Sequence, residues 1–282
     1  MKKKIFISTE NSEYQIIESL KNNRTKRAKK SEIFVEGIES IKQASKAHLH
    51  FTRIIYSKSR GLSNWANEFI KQTESDKIIE ASDDIFGKLC DKKDPSELIA
   101  TLSIRKLTID DLVYSSSPFF LIFDRPSDLG NFGTIVRTAN SFNVDAVMVI
   151  GHSIDVFDPK VIRSSLGSIF FTPVIQIDSI NSFEKWIIKM KKDFKLKLVG
   201  SDSTGEVSID THSLESPIAV ILGNEAKGMS VALQNLCDYI ISIPNSGDVN
   251  SLNVSCAGSI VLWEIYKNNQ GTSAAKAGIH FG

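Results

Sequence analysis

Three short stretches of this chain set glycine and asparagine beside side chains able to do chemistry: "RPSDLGNFGTIVRTANSF" (residues 125–142), "GNEAKGMS" (223–230) and "PNSGDVNSLN" (244–253). In the first, Gly130 and Gly133 flank Asn131 at a tight turn, and Arg137 lies one turn into the helix that follows. The second carries Gly223, Asn224 and Glu225 at a turn, with Gly228 before another helix. The third places Ser251 and Asn253 at the mouth of an apolar helical pattern. Each stretch follows a short apolar run, and in open α/β sheets ligands bind beyond the carboxyl ends of the strands. Turn chemistry and helix capping account for any one of these loops taken singly. Three together, where such a fold puts ligands, point to a site. Backbone polar groups between apolar walls suit a neutral or cationic organic ligand, such as an adenosyl group.

Other chemistries lack their residues. No GxxxxGK[ST] phosphate cradle is present, and G-N-F-G is not the dinucleotide fingerprint GxGxxG. A Ser-His-Asp hydrolase would need a GxSxG elbow, which is missing. No His, Cys, Asp and Glu cluster has metal-ligand spacing, so no metal is expected. His48, His50, His212 and His280 fall in the front part, a loop and the tail, and His152 has no partner nearby in sequence.

The elements that must position these loops are legible as apolar runs. "FFLIFD", "DAVMVI", "TPVIQI", "KLKLVG", "IAVILG" and "YIISIP" are short and continuously apolar, as strands of a parallel sheet covered on both faces are. Between them the pattern turns helical at 133–142, 159–166, 182–193 and 230–236. The last helix follows Asn253, with Val254, Ala257, Ile260, Val261 and Ile265 on one face. The expected architecture is a doubly wound α/β domain over residues 117–270. A smaller α/β domain over 1–112 precedes it, read from alternating strands (33–35, "FTRIIYS", "ATLSIRK") and helices. Residues 271–282 read as a flexible tail.

The chain has 282 residues, 41% of them hydrophobic, and a formal net charge of +1. The charge is unevenly spread: the first 60 residues hold 14 Lys and Arg against 6 Asp and Glu. Six of the ten residues in "KNNRTKRAKK" (21–30) are basic. That segment reads equally as a solvated linker or as a phosphate-backbone contact through Arg24, Lys26, Arg27, Lys29 and Lys30. Cys90, Cys237 and Cys256 form no CxxC pair and no even set, which supports neither a disulfide framework nor a zinc knuckle. No apolar stretch approaches the roughly 20 residues of a membrane helix. A cytoplasmic location is expected.

The stretches "DLGNFGTIVRTANSF", "ILGNEAKGMS" and "IPNSGDVNSLNVSCAGSIVLWE" resemble, in order, the three signature motifs of the SpoU (TrmH) family. This is a branch of the SPOUT class of S-adenosylmethionine-dependent RNA 2′-O-ribose methyltransferases. "FDPKVIRSSLGSIFFTPV" is similar to the family's segment between the first two motifs, and "AKKSEIFVEGIESIKQA" to its ribosomal-protein-like RNA-binding domain. The resemblance implies that Asn131, Arg137, Glu225, Ser251 and Asn253 stand at active-site positions. It also implies that Leu222, Gly223, Asn224, Ile243, Pro244 and Leu252 hold the cofactor. A C-terminal trefoil knot, an exception to the usual unknotted chain, and a homodimer whose interface completes the sites are further implications. The chain departs from the pattern at Leu129, where proline is usual, at Asn143, where glycine is usual, and at Asn245, where methionine is common. Asn143 is a mild change, because asparagine tolerates the left-handed region.

On this reading Arg137 faces the ribose hydroxyl. A guanidinium does not give up its proton near neutral pH, so the expected role is to pin the adjacent phosphate and favour the developing alkoxide. Glu225 is expected to hold Arg137 or the ribose, and Asn131 and Asn253 to orient nucleotide and loop. Ribosomal RNA is favoured over tRNA as substrate. Two other readings stay open: a non-catalytic RNA-binding or assembly protein on the same scaffold, and a Rossmann-type nucleotide enzyme.

Overall fold

The computed structural model describes residues 3–91, 95–211, 213–248 and 251–277, with side chains as far as Gln270. The first part of the chain runs β1 (Lys3–Ile7), α1 (Ser12–Asn22), α2 (Arg24–Lys30), β2 (Glu32–Glu36), α3 (Ile38–Lys46) and β3 (Phe51–Tyr56). It continues through α4 (Asn64–Gln72), β4 (Ser75–Ala81), α5 (Asp83–Leu89) and β5 (Leu98–Ser103). Then come β6 (Phe119–Asp124), α6 (Leu129–Ser141), β7 (Ala146–Ile150), α7 (Pro159–Ser164), β8 (Val174–Ile177), α8 (Ile180–Phe194) and β9 (Lys197–Ser201). Last are β10 (Val207–Ser208), β11 (Ile218–Leu222), α9 (Val231–Gln234), β12 (Tyr239–Ser242) and α10 (Val254–Ala277). α10 therefore continues through the start of the stretch expected as a tail; residues 278–282 lie outside the described ones.

Two compact units result. The first comprises Met1–Lys106 with Asp155–Phe171, the second Leu107–Ile154 with Thr172–Gly282. The segment Asp155–Phe171 packs with the first unit although sequence reading grouped it with the second domain. Ion pairs and apolar burial hold it there: Asp155 and Asp158 receive Arg27, Arg163 donates to Asp91 at 2.7 Å, and Val161 and Ile162 of α7, which packs on β2, are buried.

The first unit is a five-stranded mixed sheet in the order β1-β4-β3-β5-β2. Asn11 caps α1 by accepting from the backbone N–H groups of Glu13 and Tyr14, and Tyr14, Ile17 and Leu20 recur at helical spacing on its buried face. They join Phe34, Ile55, Ile79 and Phe86 in one core. The basic stretch is not a linker. It forms α2, capped at its start by the Asn23 side chain and closed by Ser31 in the left-handed conformation, and Lys, Arg and Ala are good helix formers.

The second unit is a seven-stranded sheet in the order β10-β12-β9-β11-β6-β7-β8, every pairing parallel. All six residues of β6 are buried, which explains the unbroken apolar run. Phe120 and Ile122 face the cluster built on Phe183, Ile187 and Met190 of α8, while Phe123 meets Phe132 of α6 on the opposite side. Each such aromatic or aliphatic side chain contributes about 1.5–3 kcal/mol by leaving water. β6, β11, β9 and β12 are neighbours, so their carboxyl ends open on one edge.

Candidate active site

The loop after β6 starts α6 earlier than the glycines suggest. Asp128 is the N-cap, accepting the Asn131 backbone N–H at 2.7 Å, and the helix begins at Leu129. Gly130, Asn131 and Gly133 therefore lie in the first turns of the helix and not in a tight turn. Leu129 occupies the first helical position, the place where proline is best tolerated, so its substitution for proline leaves the helix start intact. At the other end Asn143 has φ 54°, the left-handed conformation expected of it.

The loop after β11 is drawn tight by Gly223. A Cβ on it would sit 2.5 Å from the Met229 backbone nitrogen and 2.6 Å from the Gly228 carbonyl carbon, which no side chain tolerates. Asn224 and Gly228 exchange backbone hydrogen bonds of 3.0 and 2.9 Å, and Gly228 has φ 64°. The Asn224 side chain donates to the Arg125 carbonyl at 2.7 Å and accepts from the N–H groups of Ala226 and Lys227. Glu225 accepts from the Ser127 N–H at 3.0 Å, the Ser127 hydroxyl at 2.6 Å and the Asp128 N–H at 3.2 Å. Its carboxylate thus ties the second loop to the amino end of α6, where negative charge is favoured. Of the two roles expected of it, holding Arg137 or the ribose, it does not fill the first, because these three donors precede α6 and Arg137 lies two turns into the helix.

Beneath these loops sits a pair that sequence reasoning passed over. Asp124 is 2% exposed; it accepts both Nε and Nη2 of Arg125 at 2.8 Å and the Ser230 N–H at 2.7 Å. Arg125 takes φ 49° and donates onward to the Gly228 carbonyl at 3.2 Å. The hydrogen bonds it donates to Asp124 hold the Arg125 guanidinium above its ordinary pKa. The available signal was a charged residue closing the run "FFLIFD".

Asn253 answers why a polar residue stands at the mouth of α10. Its Oδ1 accepts from the Ser255 N–H at 2.9 Å, the Ser255 hydroxyl at 2.6 Å and the Cys256 N–H at 3.4 Å, capping the helix. Those donors fix the amide orientation, and Nδ2 donates to Asn131 Oδ1 at 3.0 Å. One side chain both caps α10 and joins it to α6.

A cavity of about 290 Å³ opens at these strand ends, lined by Leu222, Gly223, Asn224 and Glu225, by Ile243, Asn245, Ser251 and Leu252, and by Val254 and Ala257 of α10. Pro244 is exposed and does not line it. Residues 249–250 of the third loop lie outside the described ones. The cavity also takes in Ser201, Asp202 and Ser203 after β9, a fourth strand end that sequence reading did not single out; "SDSTG" was its turn signal. Arg137 stands apart, exposed on α6, and its guanidinium has no hydrogen bond or ion pair among the described residues.

In the first unit, Arg27 is not available to an external phosphate. It is 5% exposed, donates to Asp155 at 2.8 Å and Asp158 at 3.4 Å, and to the carbonyls of Leu20 and Lys21 at 2.7 and 2.8 Å. Arg24, Lys26, Lys29 and Lys30 are exposed on the same helix.

Residues 118–263 match the SpoU rRNA Methylase family, and residues 11–100 match the SpoU L30e-like domain. The chain is 32% identical over 260 residues to a 23S rRNA (uridine(2479)-2′-O)-methyltransferase of Streptomyces viridochromogenes, covering 92% of this chain and 90% of that protein. It is 27% identical over 210 residues to an uncharacterized tRNA/rRNA methyltransferase of Borreliella burgdorferi, covering 70% of this chain and 90% of the other. Among solved structures it is similar to the SpoU methyltransferase AviRb from S. viridochromogenes in complex with the cofactor AdoMet, with TM-score 0.86 and 31% identity over 93% of this chain and 99% of that one. An RNA 2′-O ribose methyltransferase shares the fold at TM-score 0.79 and 24% identity, over 94% of this chain and 99% of the other.

Proposed function

Since the chain belongs to the SpoU rRNA methylase family, we propose that it transfers a methyl group from S-adenosylmethionine to a ribose 2′-hydroxyl of RNA, ribosomal RNA being the favoured substrate. The observation that carries this reading is the cavity at the carboxyl ends of β9, β11 and β12, bounded by the loop that Gly223 holds tight and by Ser251, Leu252 and Val254 on either side of Asn253. Its residues fit the cofactor. Only glycine permits the backbone approach at 223, and Leu222, Ile243, Leu252 and Ala257 give apolar walls beside exposed main chain. The bound cofactor supplies an electrophilic methyl group on a sulfonium.

The chain's own residues do the rest by placement, since holding reactants aligned removes a large part of the barrier. Asn131 and Asn253, joined by a hydrogen bond of 3.0 Å, orient the nucleotide. Glu225, committed to Ser127 and Asp128, keeps the first and second loops in register and is a positioning residue. Ser251 lines the cavity and faces the nucleotide side. Arg137, whose guanidinium has no hydrogen bond or ion pair among the described residues, receives the phosphate next to the target ribose and stabilises negative charge growing on the attacking oxygen.

The free state of Arg137 also supports a homodimer in which it serves a site completed by the second copy. Ile260 and Trp263 of α10 are 41% and 50% exposed, and Trp263 belongs to an aromatic group with Phe142 and Tyr266, an apolar face suited to burial between copies. The strand order β12-β9-β11-β6 together with α10 packed on α6 supports a knotted C-terminal segment. The first unit supplies RNA binding, with Arg24, Lys26, Lys29 and Lys30 of α2 contributing backbone contacts. No helix among the described residues is long and apolar enough to cross a membrane, and a ribosomal RNA substrate would put the protein in the cytoplasm.

The test is incubation of the purified chain with labelled S-adenosylmethionine and ribosomal RNA, followed by nucleoside analysis. The expected product is one 2′-O-methylated nucleoside; label on a base, or none on any RNA, refutes the proposal.

A further inference from the structure

Two carboxylates line the cavity, Asp202 and Glu225, and they differ in what they hold. Both oxygens of Glu225 are engaged by Ser127 and Asp128. Asp202 stands in the turn after β9, where Oδ1 accepts the Thr204 N–H at 3.0 Å and the Thr204 hydroxyl at 2.7 Å. The Gly205 N–H closes the turn on the Asp202 carbonyl at 3.1 Å, and the Asp202 N–H donates to Ile241 of β12 at 3.0 Å. A Cβ on Gly205 would lie 2.5 Å from the Ile241 carbonyl carbon, so the turn is pressed onto β12 and Asp202 is held in place. Its other oxygen, Oδ2, makes no hydrogen bond or ion pair among the described residues. That oxygen lies 3.4 Å from where a Cβ on Gly228 would be, and both residues line the cavity.

We infer that Asp202 is a cofactor-binding residue whose open carboxylate oxygen ranks the charged methyl donor above the spent product. The inference rests on the cofactor reading above. S-adenosylmethionine and S-adenosylhomocysteine share the adenosine, the ammonium and the carboxylate; they differ by one methyl and by the positive charge on sulfur. A fixed carboxylate with no compensating cation among the described residues would attract the sulfonium form, and at the intermediate polarity of a partly open cavity one unit of opposite charge would change affinity on the order of tenfold. The attraction disappears with the methyl group, so the residue that favours loading also favours release of product. Oδ1 serves the turn; Oδ2 carries the second role.

Asp202→Asn separates the two roles, because asparagine keeps the Oδ1 acceptor for Thr204 and loses only the charge. Calorimetric titration of the full chain with each ligand is the test. The wild type is expected to bind S-adenosylmethionine more tightly than S-adenosylhomocysteine. D202N should weaken S-adenosylmethionine about tenfold and the product less than about twofold. Equal weakening of both ligands, or no change in either, overturns the inference while leaving the cofactor reading intact; a wild type that binds neither ligand overturns both. Should D202N fail to fold, salt dependence in the wild type decides. Affinity for S-adenosylmethionine must fall more steeply with ionic strength than that for S-adenosylhomocysteine, and parallel slopes contradict the assignment.

Discussion

α2 of the first unit and α6 of the second each carry an arginine that sequence reading set in a functional role, and they have opposite surroundings. Arg27 is buried, with two carboxylates and two main-chain carbonyls on its guanidinium. Arg137 is exposed and has no side-chain partner among the described residues. The residue type is the same, and the density of basic neighbours gave no sign that the fold itself engages Arg27. An arginine whose donors the fold already satisfies is structural; an exposed one left without a partner is available to a ligand.

The comparison breaks most visibly at Arg27. Its removal leaves Asp155 and Asp158 without their cation in a half-buried place, a loss of about 3–5 kcal/mol. Urea unfolding of R27A should show a drop of that size; a midpoint equal to wild type would mean that Arg27 is as free as Arg137. The counterpart near α6 is Asn253, whose oxygen caps α10 and whose amide donates to Asn131. N253A should lose about 1 kcal/mol of stability with the cap. N253D keeps the acceptor and loses the donor, so its melting temperature should stay near wild type while methyl transfer falls about tenfold or more. Unchanged transfer in N253D would remove the cross-link from the site.

The smallest effect sharpens the structural side. Burial pushes the Glu13 carboxyl up, but hydrogen bonds and charge from Lys77 and Arg53 outweigh it and hold its pKa below the usual value. A depressed folded pKa adds stability that is present above the unfolded value and lost as pH falls through the folded one. Acid titration of the wild type should therefore show a loss of stability below about pH 4.5 that E13Q lacks.

Much of the second unit was legible because its physics is local. Strands buried on both faces read as unbroken apolar runs, the three loops follow them directly, and Asn143 keeps the left-handed turn it was expected to keep. What escaped was set by partners far away in the chain. The burial of Arg27 depends on Asp155 and Asp158, 128 and 131 residues on, and the same ion pairs help hold Asp155–Phe171 in the first unit. The basic stretch became a helix through Asn23 and Ser31, caps too short to stand out among lysines. The start of α6 at Leu129 was hidden because Asp128 reads as a loop residue until its bond to the Asn131 N–H is seen. Asp124 and Asp202 were hidden in the same way, as ordinary strand-end polarity.

The claim on which the functional account turns is that the unengaged guanidinium of α6 acts on the RNA and not on the fold or the cofactor. One preparation of R137A, titrated with S-adenosylmethionine and then assayed for labelled methyl transfer to ribosomal RNA, tests it directly. The account predicts cofactor affinity within about twofold of wild type and transfer reduced by about a hundredfold or more. Transfer at the wild-type rate would contradict it.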